Sequence, residues 1–80
     1  MRIPRDIDGD KLNSLLLKFG YNITRQTGSH IRLTTSRNGE HHLTVPKHRP
    51  LKVGTLNAII TDVAGHLGLS REQVLKELFS

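Results

Sequence analysis

The chain contains no cysteine among its 80 residues. A disulfide framework and a thiolate zinc site are therefore excluded, and a reducing compartment suits the protein. Long hydrophobic runs are missing as well. The stretch Met1–Asp6 has no apolar segment typical of a signal peptide, and the longest apolar run, Leu15–Leu17, is too short to cross a bilayer. We therefore predict a cytoplasmic protein with no membrane partner, folded as one domain over residues 1–80.

Acidic residues are nearly missing from the middle of the chain. Between Lys18 and Gly54, Glu40 is the one carboxylate, against seven Lys or Arg residues and four of the five histidines. A basic central surface with acidic flanks predicts a polyanionic partner, with phosphate as the favoured group. The competing interpretation is a solvated surface that only keeps a small basic domain soluble. The basic residues are Lys18, Arg25, Arg32, Arg37, Lys47, Arg49 and Lys52.

Hydrophobic periodicity predicts one helix followed by three strands. The apolar stripe from Leu12 to Phe19 has helical spacing and is closed by Gly20, which gives a first helix near residues 9–19. Three runs with period-two alternation follow, each typical of a half-buried strand. Their alternating sets are Tyr21, Ile23 and Arg25, then Ile31, Leu33 and Thr35, then His41, Leu43 and Val45.

The register between the second and third strands follows from parity. Residues directly opposite on antiparallel strands share a face, so burying Leu33 with Leu43 requires paired residue numbers with an even sum. A two-residue loop at residues 38–39 gives an odd sum. A three-residue loop at residues 37–39 gives an even one and places Gly39 at the left-handed bulge position. The outward face then pairs His30 with Pro46, Arg32 with Thr44, and Thr34 with His42.

Two further helices complete the predicted fold. Residues 47–54 form a basic connector, after which Thr55 can cap a second helix that runs to Leu67. Ser70 and Gln73 have capping-box spacing, which predicts a short extra C-terminal helix near residues 70–79. The predicted fold class is thus α+β: a helix, a three-stranded antiparallel sheet, a helix and the extra helix.

One sheet face is expected to stay open, because a chain of this length builds one core and covers one face of its sheet. The open face carries His30, Arg32 and His42. The turn signal Thr27–His30 places His30 at the first position of the second strand, Ile31–Thr35. On composition alone, a histidine here is more often an ordinary polar strand residue than a catalyst.

Three segments in order resemble the HicA (YcfA-like) toxin family. They are TGSHI at residues 27–31, LTVPKH at residues 43–48 and KVGTL at residues 52–56, followed by an Ile59–Ile60 stripe. The similarity covers roughly residues 10–64. It implies a core at about residues 9–67 with a fold similar to the double-stranded RNA-binding domain. It also implies the activity of small ribonucleases from toxin–antitoxin pairs.

The resemblance implies roles for particular residues. The family's single catalytic histidine follows Gly-Ser, and here that position is His30. The Gly-Thr-Leu that opens the family's last core helix is Gly54–Leu56 here, preceded by Lys52. The cognate antitoxin, HicB, covers the histidine face. This chain departs from short family members in its N-terminal segment, Arg2–Asp8, and its extra C-terminal helix. These additions leave open how the antitoxin docks at the ends and whether the chain forms a homo-oligomer.

The hypothesis for the chemistry starts from the 2′-hydroxyl that RNA supplies as its own nucleophile. His30 would transfer a proton during attack of that hydroxyl on the adjacent phosphate, with His48, His42 or water as the second proton-transfer group. The expected reaction needs no metal or cofactor and leaves a 2′,3′-cyclic phosphate, since two-metal hydrolysis would need clustered carboxylates. The predicted RNA-binding residues are Gly28, Ser29, Arg32, Lys47, His48, Lys52 and Thr55.

Three alternatives compete with this hypothesis. A metal site built from His41, His42 and His48 is disfavoured, because their spacing fits no familiar pattern and no sulfur ligand is present. A non-catalytic RNA-binding module of the same fold would use the basic connector but would not need His30. A purely protein-binding partner, such as an antitoxin or adaptor, leaves the segregation of charge unexplained.

Overall fold

A computed structural model describes residues 6–79 of the chain. The start of the chain that was inspected for a signal peptide, residues 1–5, lies outside the described residues, as does most of the Arg2–Asp8 segment. In the part described, no helix is both long enough and apolar enough to span a membrane. The elements are α1 (Gly9–Leu16), a 3₁₀ turn (Leu17–Phe19), β1 (Asn22–Thr27), β2 (His30–Thr35), β3 (His41–Pro46), α2 (Val53–Leu67) and α3 (Arg71–Phe79).

The α+β prediction is confirmed, with the element order of the dsRBD-like fold followed by one extra helix. The sheet is antiparallel in the order β1-β2-β3. The predicted register of β2 and β3 is confirmed at the pairs His30 with Pro46, Arg32 with Thr44, and Thr34 with His42. The hairpin turn contains Gly39 at φ +96°, as its bulge position requires, and Asn38 shares the left-handed region at φ +58°.

The core lies between the helices and the inner face of β2 and β3. Ile31 and Leu33 on β2 pack there with Leu43 and Val45 on β3, and all four are at most 3% exposed. The helices and the segments next to them contribute the remaining apolar side chains of the same cluster. Burial on one side leaves Arg32 and Thr44 exposed on the other, so the open face predicted for the sheet is present.

The prediction that β1 is half-buried is wrong. All six of its residues are exposed, and Ile23 keeps 54% of its surface accessible. Tyr21, which precedes the strand, is fully buried. β1 is an edge strand, and the strand residues that bury apolar surface lie on β2 and β3. A β-bulge at Thr24 also interrupts the alternation, so Ile23 pairs with Leu33 but Arg25 pairs with Arg32.

The prediction that Thr55 caps the second helix is also wrong, because α2 begins two residues earlier, at Val53. Leu51 is buried and its N–H donates to the Ile7 carbonyl at 2.8 Å, which fixes the chain just ahead of the helix. Lys52 takes the N-cap position without a side-chain cap, and its carbonyl accepts from the Leu56 N–H at 3.0 Å. Thr55 therefore lies inside the first turn.

The predicted ends of the other helices are confirmed. Ser70 and Gln73 form the reciprocal capping box of α3, with the Ser70 N–H donating to Gln73 Oε1 at 2.8 Å and the Gln73 N–H donating to Ser70 Oγ at 3.1 Å. The helical segment made of α1 and the 3₁₀ turn ends at Gly20, whose φ of +81° favours glycine. Its last turn is 3₁₀ rather than α, and its N-cap is Asp8, which accepts from the Lys11 N–H at 2.8 Å.

Candidate active site

His30 is positioned by the tight hairpin between β1 and β2. Thr27 pairs with His30, which leaves a two-residue loop of Gly28 and Ser29. Gly28 has a backbone φ of +54°, which residues other than glycine rarely adopt. The imidazole that follows is exposed, and none of the described residues forms a hydrogen bond or ion pair with it.

Two of the predicted phosphate-binding residues flank His30. The Lys47 N–H donates to the Ser29 carbonyl at 2.7 Å, which ties the residue after β3 to the residue before β2. Arg32 is two residues farther along β2 on the same face, a separation of about 7 Å at the usual strand rise. His30 and Arg32 thus lie at one end of the open face, with the backbone of Lys47 beside Ser29; Lys47 also lines a cleft with Asp8 and Asp10 at the start of α1.

The basic connector is fastened to the start of α1. The Gly9 N–H donates to the His48 carbonyl at 3.1 Å, while Arg49 Nε lies 3.8 Å from Asp8 Oδ2. Gly9 approaches the Pro46 carbonyl so closely that a β-carbon on Gly9 would collide with it. The backbone after β3 is therefore held in place, and the exposed side chain of His48 projects from a fixed segment. One of the acidic residues near the chain's end, Asp8, partly offsets the charge of this connector.

Lys52 and Thr55 lie on the other side of β3 from His30. Thr55 and Gly54 line a cleft at the β3 edge together with Thr44, the residue opposite Arg32. The amides of residues 53–55 precede the first hydrogen bond of α2, so they have no partner within the helix and can donate to an anion. Through Thr44, the cleft connects this helix start to Arg32, the cross-strand partner of Thr44 on β2. Neither Lys52 nor Thr55 contacts His30 directly.

His42 lies on the open face but far from His30. It pairs with Thr34, which is four residues along β2 from His30, or about 13 Å at the usual strand rise. Its Nδ1 is 2.8 Å from Thr34 Oγ1, and its Nε2 is 3.5 Å from Glu40 Oε2. His42 is therefore too distant to act on the same bond as His30.

His41 points to the opposite side of β3 and forms part of a partly exposed network that reaches the buried Tyr21. Its Nε2 is 3.1 Å from Asp62 Oδ1 and its Nδ1 is 2.8 Å from the Tyr21 hydroxyl. Its ring stacks on His66 at 4.3 Å between centroids. His66 Nε2 in turn donates to the Arg37 carbonyl at 2.9 Å, which docks the β2–β3 hairpin on α2. These contacts join the β2–β3 hairpin and the buried Tyr21 to α2, while the exposed Asp62 carboxylate also lines the cleft at the β3 edge.

The alternative metal site lacks a converging set of ligands. His41 and His42 are neighbours on β3 and project to opposite sides of the sheet. The described residues contain no group of three or more His, Asp or Glu side chains positioned to hold a metal ion.

The Tyr21 phenol should leave a signature in the pH dependence of stability. Burial, reinforced by the charge of Asp62, raises the pKa of Tyr21 to about 12. The pKa of Tyr21 in the folded chain exceeds its value of about 10 in the unfolded chain. The contribution of the protonated phenol to the free energy of unfolding is therefore complete below pH ~10 and is lost as the pH rises through 12. Between pH ~10 and 12, the free energy of unfolding should fall less for Tyr21→Phe than for the native chain, because the variant has no phenol to ionise. Urea denaturation at each pH measures both. Equal losses would contradict the assignment.

Over residues 9–64, the chain matches the family model described as "HicA toxin of bacterial toxin-antitoxin". The match runs from the first residue of α1 into α2 and covers more than half of the chain. The chain belongs to the HicA toxin family. Among curated proteins and among solved structures, no significant match was found. Membership assigns this HicA-family chain the toxin role in a toxin–antitoxin pair and, with it, an antitoxin partner.

The HicA match contains the whole candidate site. His30 and every predicted RNA-binding residue fall within it, whereas α3 lies beyond it. α3 is nonetheless packed into the fold: Val74 and Leu78 are buried, and Lys18 Nζ on the 3₁₀ turn donates to the Glu77 carbonyl at 3.0 Å. The extra helix of this HicA-family chain therefore extends the core on the side away from the open face.

Arg25 is a basic residue of the open face that the sequence pattern did not predict. Alternation with Ile23 placed it among the inward residues, but the bulge at Thr24 puts it on the outward face, directly opposite Arg32. The signal was available in the parity of the first hairpin. Closing the two-residue turn of Gly28 and Ser29 requires cross-strand pairs whose residue numbers have an odd sum. Pairing Ile23 with Leu33 requires an even sum. One bulged residue between them reconciles the two registers.

Proposed function

We propose that this chain is a metal-independent endoribonuclease that cleaves mRNA, with His30 as its catalytic residue. The observation that carries the proposal is the placement of His30: exposed, fixed at the start of β2, on the same face as Arg32, and next to the backbone of Lys47. RNA cleavage is the activity that membership of the HicA family implies, and this end of the sheet offers the groups that such a reaction needs.

The proposed reaction is an intramolecular transesterification. The 2′-oxygen forms a bond to the adjacent phosphorus as the bond from phosphorus to the 5′-oxygen breaks, which leaves a 2′,3′-cyclic phosphate and a free 5′-hydroxyl. One proton leaves the 2′-hydroxyl and one reaches the 5′-oxygen, and His30 transfers one of the two. Lys47 neutralises the charge that grows on the non-bridging phosphate oxygens, and Arg32 holds the RNA backbone beside this centre.

The second proton is assigned to His48 or water in preference to His42. His42 is held by Thr34 about 13 Å along the strand from His30, whereas His48 follows Lys47, whose N–H is bonded beside His30. The His48 ring is exposed on a connector whose backbone is anchored at Gly9. These contacts make His48 the better-placed of the two imidazoles.

The remaining predicted residues guide the RNA to this centre. Gly28 and Ser29 form the turn that presents His30, while Lys52 and the first-turn amides at Thr55 offer positive charge across the β3 edge. We further propose that a HicB-type antitoxin inhibits the enzyme by covering the open face and displacing RNA from it. An acidic surface on that partner would complement Arg32 and Lys47.

A substrate modification tests this chemistry without altering the protein. We expect the purified chain to cut single-stranded RNA in the presence of EDTA and to release fragments with 2′,3′-cyclic phosphate ends. Replacing the one 2′-hydroxyl next to a mapped cleavage site by hydrogen removes the nucleophile, so cleavage there should stop while cleavage elsewhere continues. Gel analysis of end-labelled RNA reports both.

Two results of that experiment would contradict the proposal. Continued cleavage at the deoxy position would show that water or another external nucleophile attacks the phosphate. RNA that is bound but never cut, with or without EDTA, would favour the alternative of a non-catalytic RNA-binding module. The matched control is the same RNA with a deoxy substitution two nucleotides from the mapped site.

A further inference from the structure

Arg25 and Arg32 are directly opposed across β1 and β2, which is an unusual arrangement for two like charges. Cross-strand neighbours have β-carbons about 5 Å apart, and equal charges at such positions destabilise a sheet. Both guanidinium groups are exposed, and the described residues provide neither of them with a hydrogen-bond or ion-pair partner. The fold therefore contains a repulsive pair that an anionic ligand would relieve.

The bulge that creates this pair is held by a chain of polar contacts. Thr24 Oγ1 lies 2.9 Å from Thr34 Oγ1, which lies 2.8 Å from His42 Nδ1. These contacts hold Thr24 on the outward side of the sheet, so the next residue, Arg25, is directed to the same side. The carboxylate of this hairpin, Glu40, contacts His42 rather than either arginine.

We propose that Arg25 and Arg32 together bind an RNA phosphate next to the one that is cleaved. This inference rests on the proposed function and deepens it. Arg25, Arg32 and Thr44 form one line of cross-strand neighbours on the open face, and Thr27, His30 and Pro46 form the next. The two lines are about 7 Å apart along the strands. That separation is comparable with the distance between neighbouring phosphates of a nucleic-acid strand, so RNA engaged at His30 reaches the arginine pair with its next phosphate.

A phosphodiester suits this pair better than an isolated carboxylate does. Two guanidinium groups present parallel forks of N–H donors, and a phosphate offers two non-bridging oxygens that can each accept from one of them. Beyond Arg32, Thr44 leads to the cleft that Gly54 lines at the start of α2, and the Asp62 carboxylate farther along the same cleft confines a phosphate to that helix end. An acidic partner protein is the competing occupant of the same surface.

The test measures RNA binding without cleavage, in chains that all carry His30→Ala. Anisotropy of a labelled single-stranded RNA gives the binding constant at several salt concentrations. Removing one phosphate contact with Arg25→Gln should weaken binding several-fold and reduce the slope of log K against log salt by about 0.7. Lys76→Gln makes the same charge change at an exposed position of α3 and should leave the binding constant and the salt slope unaltered.

A charge-swap variant separates a specific site from general attraction. Arg25→Gln combined with Gln26→Arg keeps the net charge but moves the cation to the other face of β1, at an exposed position opposite Ile31. We expect the swap to bind as weakly as Arg25→Gln alone. Arg25→Lys should keep the salt slope, because it retains a cation at the site. Thermal melts would verify that every variant is folded.

The outcomes distinguish this inference from the proposed function. Weakening by Arg25→Gln supports the subsite even if the native chain fails to cut RNA. The subsite is overturned if Arg25→Gln matches Lys76→Gln, or if the swap restores binding, even when native cleavage is normal. It is also overturned if no variant binds RNA and Arg25→Gln weakens only the complex with an antitoxin, since the pair would then serve a protein interface.

Discussion

His30→Ala is expected to lower the rate of RNA cleavage by about 10² to 10⁴-fold, the usual contribution of one general acid or base. RNA binding should persist, because Arg32 and Lys47 supply the attraction to phosphate and neither depends on the imidazole. The fold should also persist, since His30 is exposed and its side chain has no partner in the described structure. Single-turnover cleavage and anisotropy on the same RNA measure the two properties separately.

A second histidine of the open face provides the matched control for His30. His42 is exposed on the same face, but it is about 13 Å away along the strand and bonded to Thr34. His42→Ala should therefore retain cleavage close to the native rate, because the contact between Thr24 and Thr34 that holds the bulge does not require the imidazole. Equal losses in the two variants would indicate a general effect of the surface and would contradict a catalytic role for His30.

Gly9→Ala is expected to destabilise the fold by about 1–3 kcal/mol, the usual cost of forcing an extra methyl group into a packed site. Helix propensity alone would predict the opposite sign, because alanine favours helices more than glycine does. The reason is the close approach of Gly9 to the Pro46 carbonyl, where the added carbon would collide with backbone that cannot give way. The collision should also displace Lys47 and slow RNA cleavage.

Gly65→Ala is the matched control, with the opposite expectation. Gly65 lies within α2, and a β-carbon there meets no atom within 4 Å beyond its chain neighbours and the nearby backbone of the helix. Alanine at this position should stabilise the chain by about 0.5–1 kcal/mol. Urea denaturation of both variants gives the comparison. If Gly9→Ala were as stable as the native chain, the connector would not be locked against α1 as the structure describes.

The parts of the site that sequence predicted are those set by local rules. Period-two alternation together with loop length determined the register of β2 and β3, and hence the open face of His30 and Arg32. The same parity rule would have revealed the bulge at Thr24, but alternation from Tyr21 to Arg25 concealed it. A strand assigned by pattern alone thus placed Arg25 on the wrong face.

Other features depend on contacts between distant parts of the chain. The role of Gly9 follows from its position against Pro46, 37 residues away in sequence, and nothing near Gly9 marks that approach. The start of α2 at Val53 likewise follows from the bond that holds Leu51 to Ile7, which outweighs the capping preference of Thr55. Local propensity gives way at both places to tertiary packing.

We propose that His30 makes this HicA-family chain an RNA-cleaving toxin. The decisive experiment is expression of the native chain and of His30→Ala at matched levels, with growth recorded and the ends of cellular mRNA mapped. The native chain should arrest growth and produce mRNA fragments ending in 2′,3′-cyclic phosphate. His30→Ala should produce neither effect. Growth arrest with the same fragments from the His30→Ala chain would contradict the account.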